Sequence, residues 1–239
     1  MYKKAKSFYF ENKKLWVDTL ILISLITLTF ILFLKYEVSN TVSNFIRDNN
    51  LDVFVATLAI SSILMLIFMI KRFIELQKII KFANTDPLIG IINRRKGLEY
   101  ITNEINGLKN SDHSSSLIMY DIDDFKKIND IYGHDVGDYI LKELSTIIEN
   151  HTRFEDMIIR WGGEEFMVIC PNTNLENAIK LTQRFKKCVE DNIFEKKIRI
   201  TASFGVIELN KNEEFSKQII KVDKLLYKSK KEGKNRISF

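Results

Sequence analysis

Residues Gly162 to Phe166, Gly-Gly-Glu-Glu-Phe, set two adjacent carboxylates straight after two glycines and between two apolar runs. Met157, Ile158, Ile159 and Trp161 precede the stretch and Phe166, Met167, Val168, Ile169 and Cys170 follow it, a pattern that predicts two strands joined by a Gly-Gly turn. Neither glutamate is needed for a hairpin. Glutamate is depleted in strands and like charges side by side repel, so a pair at a tight turn points to a bound cation or a solvated tip.

Strand-like and helix-like segments alternate around this hairpin from residue 85 to residue 239, a stretch of about 155 residues, an ordinary size for one domain. Helix is expected over Leu88–Leu108, Gly137–Asn150, Leu175–Glu190 and Phe215–Lys231, and strand over Leu117–Asp123 and Ile198–Leu209. Such an order predicts an α/β domain with a mixed central sheet and surrounding helices.

Upstream the composition changes. Leu15 to Leu34 is apolar apart from Asp18, about 20 residues and long enough to cross a bilayer as a helix; Val53 to Ile70, about 18 residues and uncharged, is a second such run. A signal peptide fits the first run less well, because Phe33, Leu34 and Lys35 do not form a small-residue cleavage site. Lys3, Lys4, Lys6, Lys13 and Lys14 precede the first run and Lys71, Arg72, Lys78 and Lys81 follow the second, so the positive-inside rule places both ends in the cytoplasm. The expected organisation is therefore a basic tail (1–14), a first span (15–34), a short extracytoplasmic loop (35–52), a second span (53–70), a helical linker (71–84) and the α/β domain (85–239). That describes a multi-pass protein of the inner membrane, in contact with its lipid, with the domain cytoplasmic. In the linker Met69, Phe73, Leu76, Ile80 and Ala83 recur at heptad spacing, either a short coiled-coil seam that pairs two copies or an amphipathic connector.

The net charge of +5 is spread along the chain without a basic stripe of interleaved aromatics, which argues against nucleic acid and for a membrane surface and a phosphorylated ligand. Cys170 and Cys188 read as small buried hydrophobes of a reducing compartment.

Acids collect where a strand ends: Leu117-Ile118-Met119-Tyr120 runs into Asp121-Ile122-Asp123-Asp124. Ligands of α/β sheets bind at the carboxyl ends of strands. If this strand neighbours the hairpin, Asp121 and Glu164 can share a Mg²⁺ with substrate phosphates. Asp123 is either a further ligand on the same face or a capping acid.

Gly162 to Phe166 resembles the signature of the GGDEF family of diguanylate cyclases in its GGEEF form. Four further blocks are similar to the family in the same order: Asp86-Pro87-Leu88-Ile89-Gly90 to Asn93-Arg94-Arg95, Asp121-Ile122-Asp123 through Gly137-Asp138, Ser203-Phe204-Gly205-Val206, and Tyr227-Lys228-Ser229-Lys230 to Gly233-Lys234-Asn235-Arg236. The resemblance implies a fold like the nucleotidyl cyclases and polymerase palms. It also implies condensation of two GTP into cyclic di-GMP with release of pyrophosphate, by a homodimer in which each half-site holds one GTP.

By the same resemblance the metal ligands are Asp121, the carbonyl of Ile122 and Glu164, with magnesium the expected ion and manganese the alternative. Glu164, Glu165 and Lys126 are the implied catalytic set, Glu165 acting in the metal site or in deprotonating the hydroxyl. Phe125, Lys126, Asn129, Asp138, Lys230 and Lys234 are implied to bind GTP; Asn129 and Asp138 read guanine, and the lysines meet phosphate. The family usually has arginine where Lys234 stands, and lysine offers a point charge without a bidentate fork. His134 reads as structural.

Five residues separate Asp156 from Gly162, and at that offset Arg153-x-x-Asp156 resembles the family's inhibitory product site, with Arg184 as a second arginine. The other readings are a non-catalytic membrane receptor for cyclic di-GMP that uses this site, and a nucleic-acid-binding module.

Overall fold

The computed structural model describes residues 44, 47–49, 52–110 and 112–239, the side chains of 52–56 and 58 excepted. The chain divides into two compact units, Met1–Gln77 and Lys78–Phe239.

Residues 52–84 form a helix, α1 (Asp52–Asn84). Among the described residues no helix is long and apolar enough to cross a membrane. The expected spans are thus not among the features the structure shows: residues 15–34 lie outside the described residues, and 53–70 fall in α1, whose described side chains begin at Thr57. Within α1, Ile60, Ile63, Leu64, Met65, Ile67 and Phe68 are all exposed. Of the heptad positions, Met69, Leu76 and Ile80 are exposed too, and the expected linker is helical throughout.

The second unit is built on a six-stranded sheet of order β1-β3-β4-β2-β5-β6. The strands are β1 (Ile92–Asn93), β2 (Ser116–Ile122), β3 (Met157–Arg160), β4 (Glu165–Cys170), β5 (Ala202–Glu208) and β6 (Ile237–Ser238). The outer pairs β1·β3 and β5·β6 are parallel and the inner pairs antiparallel, the mixed sheet expected. The helices are α2 (Arg94–Leu108), α3 (Phe125–Tyr132), α4 (His134–His151), α5 (Leu175–Asp191) and α6 (Phe215–Lys231).

Alternation along β2 divides the core. Ile118, Tyr120 and Ile122 pack with Leu144 of α4, Phe185 of α5 and Phe166 and Val168 of β4, while Leu117 and Met119 pack with Ile101 of α2, Val222 and Leu226 of α6 and Met167 of β4. The sheet is therefore the middle of three layers. Each fully buried Phe, Leu or Ile contributes about 1.5–3 kcal/mol, so these two faces rather than surface ion pairs hold the domain. Asp121 shares the face of Leu117 and Met119, the α6 side.

Three boundaries depart from the sequence expectation. The helix expected from Leu88 starts at Arg94, because Asp86 Oδ1 accepts from the amides of Leu88 and Ile89, Gly90 turns the chain at φ 79°, and Asn93 caps the helix by accepting from Lys96 N. The strand expected from Ile198 starts at Ala202; Ile198 and Ile200 are buried, but Lys196 and Lys197 sit at φ 55° and 60° in a turn before them. Residues 125–132, read only as motif, form α3.

Candidate active site

Strand register brings the expected site acids together. Antiparallel pairing of β2 and β4 sets Asp121 directly opposite Glu165. Such facing residues project to the same side of the sheet. The turn between β3 and β4 then carries Gly162, Gly163 and Glu164, and is closed by the amides of Trp161 and Gly162, which donate to Glu165 O at 2.8 and 3.1 Å. A Cβ on Gly162 would stand 2.6 Å from Glu165 Oε2, so any other residue there would have to displace the end of that side chain. The turn is held from outside by Arg160: Nε and Nη2 donate to the carbonyl of Gly163 at 3.1 and 2.8 Å, and Nη1 donates to Asp86 Oδ1 at 2.9 Å.

Asp121 is 3% exposed. Burial is the main cause of a pKa pushed up to about 6; Lys230 opposes the rise, and the charges of Glu164 and Glu165 add to it. Lys230 Nζ stands 2.6 Å from Asp121 Oδ2. The other oxygen, Oδ1, is buried with no hydrogen-bond partner among the described residues. A buried acceptor of this kind, with two more carboxylates close enough to perturb it, fits a divalent cation, which also offsets the mutual repulsion of the acids. Among the described residues no group of three or more His, Cys, Asp or Glu is arranged to hold a metal ion. Ile122 ends β2 one residue past the Asp121 and Glu165 pair.

Asp123 has a different role from its neighbour. Its Oδ1 accepts from Ser203 Oγ at 2.7 Å, and its Oδ2 accepts from Thr201 Oγ1 at 2.6 Å and from Asn235 N at 3.0 Å. With its oxygens so occupied it is a buried brace between β2, β5 and the C-terminal loop, and the open choice between ligand and structural acid falls to the latter.

The phosphate lysines lie around the same end. Lys126 is exposed in the first turn of α3, where the positive end of the helix dipole also favours anions. Lys234, at φ 62°, places Nζ 2.7 Å from Asp124 Oδ2, and Lys127 holds the other oxygen of that acid at 2.7 Å.

Phe125, Asn129 and Asp138 form a second group. Asn129 Oδ1 is buried and without a hydrogen-bond partner among the described residues, and a Cβ on Gly137 would collide with that oxygen and stand 3.2 Å from Phe125 Cζ. The Asn129 side chain thus packs directly on the Cα of Gly137, an approach that a Cβ there would block. Asp138 is half-buried within α4 and not an N-cap, since Gly133 occupies that position. His134 is exposed at the start of α4, away from any such network.

Arg153, Asp156 and Arg184 line one groove of about 530 Å³ with Thr173, Asn177 and Lys180. The backbone amide of Arg153 donates to Asp156 Oδ2 at 2.6 Å, and Arg184 Nη2 donates to the carbonyl of His151 at 2.6 Å.

Sequence reasoning missed Arg160 and the bracing role of Asp123. Arg160 carried a usable signal, a guanidinium at the end of the apolar run Met157-Ile158-Ile159, where a charge needs a partner.

Comparison with known proteins agrees with this geometry. Residues 83–236 match the family model described as diguanylate cyclase, GGDEF domain. Diguanylate cyclase A of Treponema denticola is 42% identical over 138 residues, 56% of this chain and 37% of that protein. Diguanylate cyclase DgcM of Escherichia coli is 36% identical over 157 residues, 65% of this chain and 38% of that protein. The chain thus spans well under half the length of these two curated relatives. Among solved structures, the diguanylate cyclase SiaD of Pseudomonas aeruginosa, in complex with its activator SiaC, superposes with a TM-score of 0.63 at 29% identity over 93% of this chain and 88% of that one. The coiled coil and GGDEF domain of DgcB from Caulobacter crescentus, in complex with c-di-GMP, gives 0.70 at 25% identity over 77% of this chain and 98% of that one. With the family model covering more than half of the chain and the acids, turn and groove in place, this protein belongs to the GGDEF domain family of diguanylate cyclases.

Proposed function

We propose that the protein is a diguanylate cyclase that condenses two GTP into cyclic di-GMP and two pyrophosphates. The observation that carries this reading is the buried, unpartnered Oδ1 of Asp121 opposite Glu165 at the carboxyl end of β2. Asp121, the carbonyl of Ile122 and Glu164 would hold magnesium, or manganese in its place. When bound, the metal polarises the α-phosphate and stabilises the leaving pyrophosphate. Lys230, Lys234 and Lys126 supply the charge that seats the triphosphate, and to do so Lys230 and Lys234 leave Asp121 and Asp124. Asn129 and Asp138 read the guanine edge: a carboxylate accepts from N1–H and the exocyclic amine together, a donor pair adenine lacks. The 3′-hydroxyl of one GTP attacks the α-phosphorus of the other, pyrophosphate leaves, and the hydroxyl proton passes to Glu165.

One domain holds one GTP, so turnover needs two chains. The exposed heptad positions Met69, Leu76 and Ile80 supply an apolar stripe for pairing two copies of α1. The apolar runs 15–34 and 53–70 with their basic flanks support an inner-membrane anchor with the domain in the cytoplasm. The groove between Arg153 and Arg184 is the inhibitory site for the product, where arginine pairs bidentately with phosphate and stacks on guanine.

The test is nucleotide turnover by the full chain in detergent micelles with GTP and Mg²⁺, over a range of protein concentrations, with product identified by mass. Cyclic di-GMP should form at a specific rate that rises with concentration, and Glu165→Ala should abolish it. Normal turnover by that variant would overturn the assignment. The groove also favours a second reading, a receptor for cyclic di-GMP, which predicts calorimetric binding of the dinucleotide with no turnover at any concentration.

A further inference from the structure

Cys188 and His151 form a nucleophile and base pair that the cyclase reaction does not use. Cys188 Sγ lies 3.2 Å from His151 Nε2, and the other ring nitrogen, Nδ1, lies 2.7 Å from the carbonyl oxygen of Ile147. A carbonyl can only accept, so Nδ1 carries the proton and Nε2 presents its lone pair to the thiol. Both ring nitrogens are engaged, which fixes the ring in the orientation a general base needs.

Access separates the two cysteines. Cys188 is half-buried, whereas Cys170 is fully buried in β4 and burial pushes its thiol up. Around Cys188 on α5, Arg184, Lys186 and Lys187 outnumber Glu190 and Asp191, with Lys186 paired to Glu190, and Arg184, exposed one turn earlier, is bonded to the carbonyl of the same His151. An anionic reagent is steered to such a surface.

We propose that Cys188 is a thiol–disulfide exchange site, with His151 as its base, for a small anionic disulfide of the glutathione class. Nε2 takes the thiol proton as Sγ attacks one sulfur of the disulfide. The Sγ–S bond forms while the reagent's S–S bond breaks, and the departing thiolate takes the proton from the imidazolium. One disulfide and one thiol become one mixed disulfide and one thiol, with no other oxidant.

The test incubates the full chain with glutathione disulfide and follows intact mass and peptide maps. One adduct per chain is expected, on the peptide containing Cys188, forming at least tenfold faster than in His151→Gln and not at all in Cys188→Ser. Circular dichroism confirms that the variants are folded, and Cys188→Ser with its wild-type imidazole separates loss of the nucleophile from loss of the base. Equal rates in the wild type and His151→Gln, modification of Cys170 instead, or no adduct on the native chain while the guanidinium-unfolded chain reacts at both cysteines, would each overturn the proposal.

Discussion

Arg160 joins Asp86 to the catalytic turn: one guanidinium donates to Asp86 Oδ1 at 2.9 Å and to the carbonyl of Gly163 at 2.8 Å. Asp86 in turn holds the first amides after α1, those of Leu88 and Ile89. The segment that leaves α1 and the turn that presents Glu164 are therefore fastened to the same side chain.

Arg160→Ala removes that fastening. Charged hydrogen bonds in a half-buried setting imply a stability cost of about 2 kcal/mol, which lowers Tm by roughly 4–8 °C. Loosening of the turn should lower kcat about 100-fold, since a misplacement of ~1 Å costs that much. Arg160→Lys, lacking the planar fork, should rescue Tm in part and kcat little. Steady-state turnover and thermal melts measure both; unchanged kcat in a stable Arg160→Ala protein would show that the turn is placed without it.

The raised pKa of Asp121 has a direct consequence for stability. The folded chain holds this proton up to about pH 6, the unfolded chain only to about 3.8, the ordinary value for an aspartate. Its contribution is therefore fully present below pH 3.8, declines as pH rises through 6, and stays lost above. Asp121→Asn should match the wild type near pH 3.5 and exceed it at pH 7.5, by on the order of 2–3 kcal/mol, in buffer stripped of divalent metal. Lys230, left without a partner, is exposed enough to turn to solvent. Denaturant titrations across that range check the sign, and equal stabilities at pH 7.5 would contradict it.

Asp123→Ala leaves Ser203, Thr201 and Asn235 N without their acceptor. A loss of about 3–4 kcal/mol is expected, a Tm lower by roughly 6–16 °C, far beyond the effect of a surface acid. A shift under 2 °C by calorimetry would return Asp123 to the surface class.

Gly137→Ala drives a methyl into Asn129 and toward the Phe125 ring. Overpacking should cost about 1–3 kcal/mol. The larger effect falls on the nucleotide, with KM for GTP rising at least tenfold while the fold persists. Fluorescence titration with a GTP analogue distinguishes this from loss of folded protein.

Arg153→Ala removes an exposed groove guanidinium without touching the catalytic end. The half-inhibitory concentration of cyclic di-GMP should rise more than tenfold with the initial rate unchanged. An unaltered inhibition curve would show that the groove is not where product acts.

Much of this was legible in one dimension because its causes are local. The continuous apolar run Leu117 to Tyr120 predicts a buried strand, and the apolar spacing of Phe215 to Lys231 predicts α6 to the residue. The start of α2 was not legible: the pattern from Leu88 reads as helix until the Asp86 side chain and Gly90 compete for the same amides. Glu164 and Glu165 were conspicuous as charges without a local purpose. Arg160, an ordinary charge at the end of a strand in the sequence, gains its importance only from Asp86, 74 residues away.

The sequence by itself determined the periodicities, the acids at Asp121, Glu164 and Glu165, and the groups able to meet phosphate, because these depend on residue type and spacing. Only tertiary structure decided which acid is free. Asp121 and Asp123 are two residues apart and chemically identical. Packing surrounds Asp123 with donors from β5 and the C-terminal loop, and it leaves Asp121 buried opposite Glu165 with one oxygen unpartnered. Hydrogen-bond satisfaction is a property of the assembled surroundings, so the difference between a brace and a ligand appears only once the strands are paired.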